Sequence, residues 1–229
     1  PGEPMPTDEF FARLGRGEIP FEPFAMGSQW GTTWGTTWFK LSGQVPEGKP
    51  DGRPLELWID LGWYDHSCGG HIEGMVYRAD GTAIKSANPR NCWIPLIAAD
   101  GTRNVEFDAD GRFTVYIEAA ANPFVEGPTP FSPTELGECA TGKPDFPYLL
   151  SRMDVCALNE DVLAYLMDLD TVTALIRELK DDDPRYWQLA KALQRSLNRY
   201  DERHLDTVRA AREALVGVLA EHASSSVIT

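Results

Sequence analysis

Long apolar runs are missing from this chain of 229 residues. A membrane-spanning helix needs roughly 18 consecutive apolar residues, and no stretch approaches that, so no span is expected. Positive charge is scarce: 21 Lys and Arg stand against 35 Asp and Glu, a formal net charge of -14. Such a surface repels phosphate backbones and anionic headgroups, so neither nucleic acid nor a membrane is an expected partner. Cysteine is sparse too. Cys68, Cys92, Cys139 and Cys156 form no CxxC pair and no regular spacing. The expectation is free, buried thiols in a reducing cytoplasm rather than a disulfide framework. The sequence also lacks GxGxxG, a P-loop, a GxSxG elbow and HExxH. The opening, PGEPMPTDEF, has no signal-peptide pattern and no initiator Met, so residues upstream of Pro1 are expected.

What is present is enough apolar material for a core, 42% of the residues, arranged in two different periods. Up to about residue 150 the chain is rich in Gly, Pro and Trp and reads as short strands. Thr7, followed by Asp8 and Glu9, is placed to cap a short helix carrying Phe10, Phe11 and Leu14. Strands are expected over 34–45, 55–61, 72–79, 82–85, 92–98 and 112–119. In the second, Leu55, Leu57, Ile59 and Leu61 alternate with Glu56, Trp58 and Asp60, a strand with one face in a core. Asp80-Gly81 is a hairpin signal, and Asp100-Gly101 and Asp110-Gly111 mark further turns. About seven short strands at this spacing point to an antiparallel sandwich or jelly roll. Residues 122–147 form a long Pro/Gly-rich connection, and 150–158 alternates once more as a last strand.

Beyond that the period becomes helical. Asn159 is placed as an N-cap, with Glu160 and Asp161 in the first turn. Val162, Leu166, Leu169, Val172, Ile176 and Leu179 form one apolar stripe. Asp183-Pro184 ends that helix and opens another, striped by Leu189, Leu193, Leu197 and Tyr200. Asp201 is placed to cap a third helix through Leu205, Val208, Leu215 and Leu219. The expected organisation is therefore a β-rich domain over 1–148 with a short N-terminal helix, then a helical segment over 149–229, α+β overall.

The most unusual segment is WGTTWGTTW at 30–38. Two Gly and four Thr in nine residues oppose a helix. As a strand, the segment would place Trp30, Trp34 and Trp38 on one face. Tryptophans on a β-face can stack on pyranose rings, so these three, with Trp63 and Asp65 from the following loop, are the candidate carbohydrate-binding residues. The competing reading is that they pack a core or a domain interface, as large aromatics usually do. His66, Cys68 and His71 are possible zinc ligands by type, but no fourth ligand has matching spacing, so no metal site is expected. Glycoside hydrolysis needs two carboxylates across the scissile bond. None of the acidic residues stands in such a setting: Glu118 reads as structural and Asp183 as a helix cap. No catalytic residue is assigned.

Several of these pieces, in order, resemble one family. SQWGTTWGTTWFKLSGQVPE at 28–47 is similar to the start of the N-terminal region of glycoside hydrolase family 38 α-mannosidases, of the cytosolic and vacuolar-type branch and its bacterial relatives. LELWIDLGW matches the next strand, EGMVYRADGTAIKSANPRN at 73–91 the following hairpin, and VYIEAAANP at 115–123 a later strand. LLSRMDVCALNEDVLAYLMDLDTV at 149–172 resembles the family's passage into helices. The resemblance implies a galactose-binding-like sandwich joined to helices that lead into a catalytic domain. It implies that residues 224–229 approach the first strand of that domain, whose His-x-Asp zinc motif, nucleophilic Asp and acid have no counterpart here. It further implies a zinc-dependent, retaining α-mannosidase as the parent enzyme, with zinc or a similar divalent metal bound in the missing domain. This chain alone would then be inactive. Its partners would be its own catalytic domain, a second copy in a homo-oligomer, or a mannoside. The alternative is a stand-alone carbohydrate-binding or protein-interaction module.

Overall fold

A computed structural model describes residues 4–32, 34–47, 52–63, 72–122 and 148–221. They fall into two compact units, 1–157 and 158–229.

In the first unit a helix, α1 (Thr7–Gly15), precedes nine strands among the described residues. These are β1 (Gln29–Trp30), β2 (Thr36–Gln44), β3 (Leu55–Asp60), β4 (Ile72–Tyr77) and β5 (Ala83–Ala87), then β6 (Trp93–Ile97), β7 (Arg112–Ala121), β8 (Tyr148–Leu149) and β9 (Arg152–Ala157). They pair as a four-stranded sheet β2-β7-β4-β5, a three-stranded sheet β6-β3-β9 and a short pair β1-β8. Every pairing is antiparallel. The alternation read in 55–61 is realised: Leu55, Leu57, Ile59 and Leu61 are at most 1% exposed. They join Val76, Ile94, Leu96, Val115 and Ile117 in one core drawn from both larger sheets. Burying each of these aliphatic side chains contributes about 1.5–3 kcal/mol. Pro95, which cannot donate to a ladder, sits on β6, the edge of its sheet.

The β unit reaches further than position 148, where the sequence analysis drew the domain boundary. β9 pairs with β3 along its whole length, Leu55 opposite Ala157 through Asp60 opposite Arg152, so residues 149–157 belong to the sandwich. The outer face of the four-stranded sheet is capped by α1. Phe10 lies 1% exposed against Tyr77 and Tyr116, and its ring stacks on Trp38 at 3.6 Å and 8°. Thr7 lies inside the helix, which begins after Pro6 without a side-chain cap.

The second unit holds α2 (Glu160–Glu178), α3 (Pro184–Arg199) and α4 (Thr207–Ala220). Asn159 and Asp183 cap as expected, accepting from the backbone N–H of Val162 at 3.3 Å and of Arg185 at 2.7 Å. Asp201 does not cap the third helix. Its carboxylate accepts from Arg203 N–H and binds the Arg203 guanidinium, and α4 starts only at Thr207. Leu205 therefore lies outside the helix, 53% exposed. Leu166 and Leu197 also leave their expected stripes, at 52% and 53% exposed. Their neighbours Tyr165 and Ser196 turn inward instead, the Ser196 hydroxyl 3.1 Å from the Tyr165 hydroxyl, beside Ala192 and Ala211. Small residues at that crossing admit the close approach of helices that a strict leucine stripe would hold apart.

Candidate functional site

The repeated tetrapeptide does not form a repeated structure. Trp30 ends β1, and Gly31 follows at φ +88°, where an added Cβ would fall 2.9 Å from the Ala121 Cβ. Only glycine adopts that conformation in that space without strain. Trp34 is itself at φ +69°, unusual for a bulky side chain. Its N–H donates to Ala121 O at 2.8 Å, and Ala121 N–H donates to Gly35 O at 2.9 Å, a reciprocal pair that leads the chain into β2. The positive φ angles break the strand, so the three tryptophans do not share a face.

Each ends in a different place. Trp30 is 5% exposed within the sandwich core, its indole N–H donating to Leu61 O at 2.8 Å. Phe39 and Tyr148 pack against it at 5.3 and 5.7 Å between centroids. Trp38 lies on the opposite side of the four-stranded sheet, under α1, and its buried Nε1 has no partner among the described residues. Trp63 packs at the edge of the core, its indole N–H donating to Ile72 O at 3.0 Å. Only Trp34 of the repeat is exposed, at 38%. Asp65, with His66, Cys68 and His71, lies outside the described residues. Gly62, at φ +102°, brings the chain so close to β8 that a Cβ would sit 2.7 Å from Leu149 N.

The carboxylates considered for chemistry have structural partners. Glu118 accepts from the Tyr77 hydroxyl at 3.0 Å. An open cleft of about 1020 Å³ lies over the ends of β2 and β4 and the start of β7. Several of its charged groups are locally engaged: Arg78 Nε donates to Asn104 O at 2.6 Å, Asp80 accepts from Thr82 N–H, and Asp108 accepts from Asp110 and Arg112 N–H. Among the described residues no group of three or more His, Cys, Asp or Glu is placed to hold a metal ion. No described helix is long and apolar enough to cross a membrane. Cys92 and Cys156 are free and half-buried, and burial pushes both thiols above the ordinary range.

The polar-side aromatics of the three-stranded sheet were not among the sequence candidates. Trp58 of β3 and Trp93 of β6 are direct cross-strand partners. Lys85 Nζ lies 2.8 Å from the Trp93 ring centroid and donates to Trp93 O at 2.8 Å. Burial lowers that ammonium to about 8, against an opposing pull from Glu56. Glu56 is 7% exposed, and burial raises its carboxyl, opposed by a hydrogen bond from Trp58. The signal was available, because a Trp on the polar side of an alternating strand is out of pattern.

Comparison with curated proteins returns no match. Comparison with protein families returns one described as "Alpha-mannosidase, jelly roll domain", matched over residues 1–193. That span takes in every strand of the sandwich, all of α2 and the first part of α3. The chain belongs to the α-mannosidase jelly roll domain family.

Proposed function

We propose that this chain is the non-catalytic N-terminal region of a zinc-dependent, retaining α-mannosidase that hydrolyses terminal α-D-mannosides in the cytoplasm. Its role is to support the catalytic barrel or to hold subunits together. The observation that carries the reading is the family match across 1–193. The local geometry is in keeping with a scaffold. Two of the candidate indoles bond to backbone carbonyls and a third lies under a helix. The outward side of α2 bears Leu163, Leu166 and Met167 at 44%, 52% and 63% exposure, apolar surface of the kind that docks on a neighbour. In this reading the zinc and both reacting carboxylates belong to the catalytic domain, where the metal would hold sugar hydroxyls.

The test is to read the source gene past the codon for Thr229. A continuing frame with a His-x-Asp strand supports the reading; a stop codon removes its catalytic half.

A further inference from the structure

β7, inside the four-stranded sheet, outruns one of its two neighbours. It pairs with β2 from Arg112 to Ala120, but with β4 only from Tyr116 to Ala121. Beyond Tyr77 the chain turns away from β7, and Arg78 N–H donates to Thr82 O across the Asp80-Gly81 turn. On the side that β4 has left, a loop serves Arg112. Asp108 N–H donates to Arg112 O at 2.9 Å, and the Asp108 carboxylate accepts from Arg112 N–H at 2.8 Å. Backbone groups alternate in direction along a strand, so Thr114 N–H and C=O point the same way as those of Arg112. They face the gap between Tyr77 and Asp108 and meet no backbone partner among the described residues.

The open cleft of about 1020 Å³ lies at this gap, and Thr114 is part of its lining. Other unmet groups converge there. Glu106 is exposed and has no hydrogen bond or ion pair among the described residues. Arg78 gives its Nε to Asn104 O, and both its Nη groups are left without a hydrogen bond among the described residues. Gln44 donates through Nε2 to Asp110 O at 2.9 Å, so its Oε1 is open to a donor. Val105 and Phe107 form an apolar wall continuous with the sandwich core.

The charges in the lining are mixed. Arg112 is already paired with Asp110 at 2.7 Å. Of the other charged groups in this cleft and the smaller one adjoining it, Arg78 and Arg103 stand against Asp80, Glu106 and Asp108. An anion meets a slightly acidic lining, and a cation meets two guanidinium groups. Hydroxyl groups both donate and accept, so they satisfy Thr114 N–H and Arg78 as well as Thr114 C=O, Glu106 and Gln44. A ligand that displaces water here must replace both kinds of bond.

We propose that this cleft is a binding site for a neutral sugar, whose hydroxyls meet the Thr114 backbone, Glu106 and Arg78 and whose C–H surface lies along the Val105–Phe107 wall. The ligand class follows from the lining; the choice of an α-mannoside within it rests on the α-mannosidase reading above. An open, polar cleft of this kind binds weakly, in about the millimolar range.

The test is amide NMR on the whole chain, titrated in parallel with an α-linked mannobiose and with maltose, each to about 50 mM. Saturable shifts are expected at Thr114, Glu106 and Arg78, with the amides of Glu160–Glu178 on α2 unmoved. Glu106→Gln removes a carboxylate that has no partner in the fold and should weaken the binding about fivefold or more. Three results overturn the proposal: no shift with either sugar at the highest concentration, shifts confined to other parts of the chain, or a Glu106→Gln variant that binds as tightly as the parent. A response to maltose alone upholds the sugar site and overturns only the choice of a mannoside. A source gene without the His-x-Asp strand would remove the α-mannosidase reading and leave these outcomes unchanged, so the two fail separately.

Discussion

Lys85 and Trp93 hold each other in place: the ammonium sits 2.8 Å from the indole centroid and donates to the carbonyl of the same residue. Burial under the ring lowers the lysine from 10.5 to about 8. Between those values the unfolded chain binds more protons at this site than the folded one. Stability from Lys85 therefore rises with pH from about 8 to 10.5. Cys92, beside it, has a raised thiol pKa, and its contribution falls as pH climbs. The difference between the parent chain and Lys85→Met isolates the lysine. The Tm gap should move in the parent's favour between pH 8 and 10.5, and a flat gap would show that the ammonium is freely solvated.

The two tryptophans that open the tandem repeat should respond oppositely to mutation. Trp30→Ala empties a core site and strands the Leu61 carbonyl, costing about 3–5 kcal/mol. Trp34→Gly removes an exposed ring from a backbone at φ +69°, where glycine is unstrained, and should change stability by no more than about 0.5 kcal/mol. Urea denaturation of both variants separates core packing from surface placement.

Phe10 ties α1 to the sheet through its stack on Trp38. Phe10→Ala should weaken the docking of the helix by about 3–5 kcal/mol. Hydrogen exchange should then quicken first across Thr7–Gly15. Uniform loss of protection over the sandwich would instead show that α1 and the sheets unfold as one.

Two arginines on α4 reach acidic residues on α2, from unlike settings. Arg209 pairs with Asp161 at 2.8 Å, 77% exposed; Arg212 pairs with Asp168 at 2.7 Å, where the carboxylate is 20% exposed. Arg209→Ala should cost no more than about 1 kcal/mol, as exposed pairs do. Arg212→Ala should cost more, because it leaves a partly buried carboxylate unpaired. Equal, small losses would mean that both pairs are fully screened by solvent.

Local patterns carried most of the fold into view before the structure did. The Leu55–Leu61 alternation, the Asp80-Gly81 turn and the Asn159 and Asp183 caps all act within a few residues, and all appear where expected. What was not legible depends on distant partners. β1 and β8 are two residues each and exist only because Trp30 meets Tyr148. Residues 150–158 read as a last strand, but only the pairing of β9 to β3 places that strand within the sandwich instead of beyond its boundary. WGTTWGTTW misled because positive φ at Gly31 and Trp34 cancels the period-2 rule that would align its tryptophans. Trp58 was visible as outward in LELWID, but its partner Trp93 becomes a neighbour only through the β3–β6 register.

The proposed role is that the chain supports an α-mannosidase without performing its chemistry. Incubating the purified chain with an aryl α-D-mannoside and zinc tests it directly. No release of the aryl alcohol above the buffer blank is expected. Zinc-dependent turnover by these 229 residues alone would contradict it.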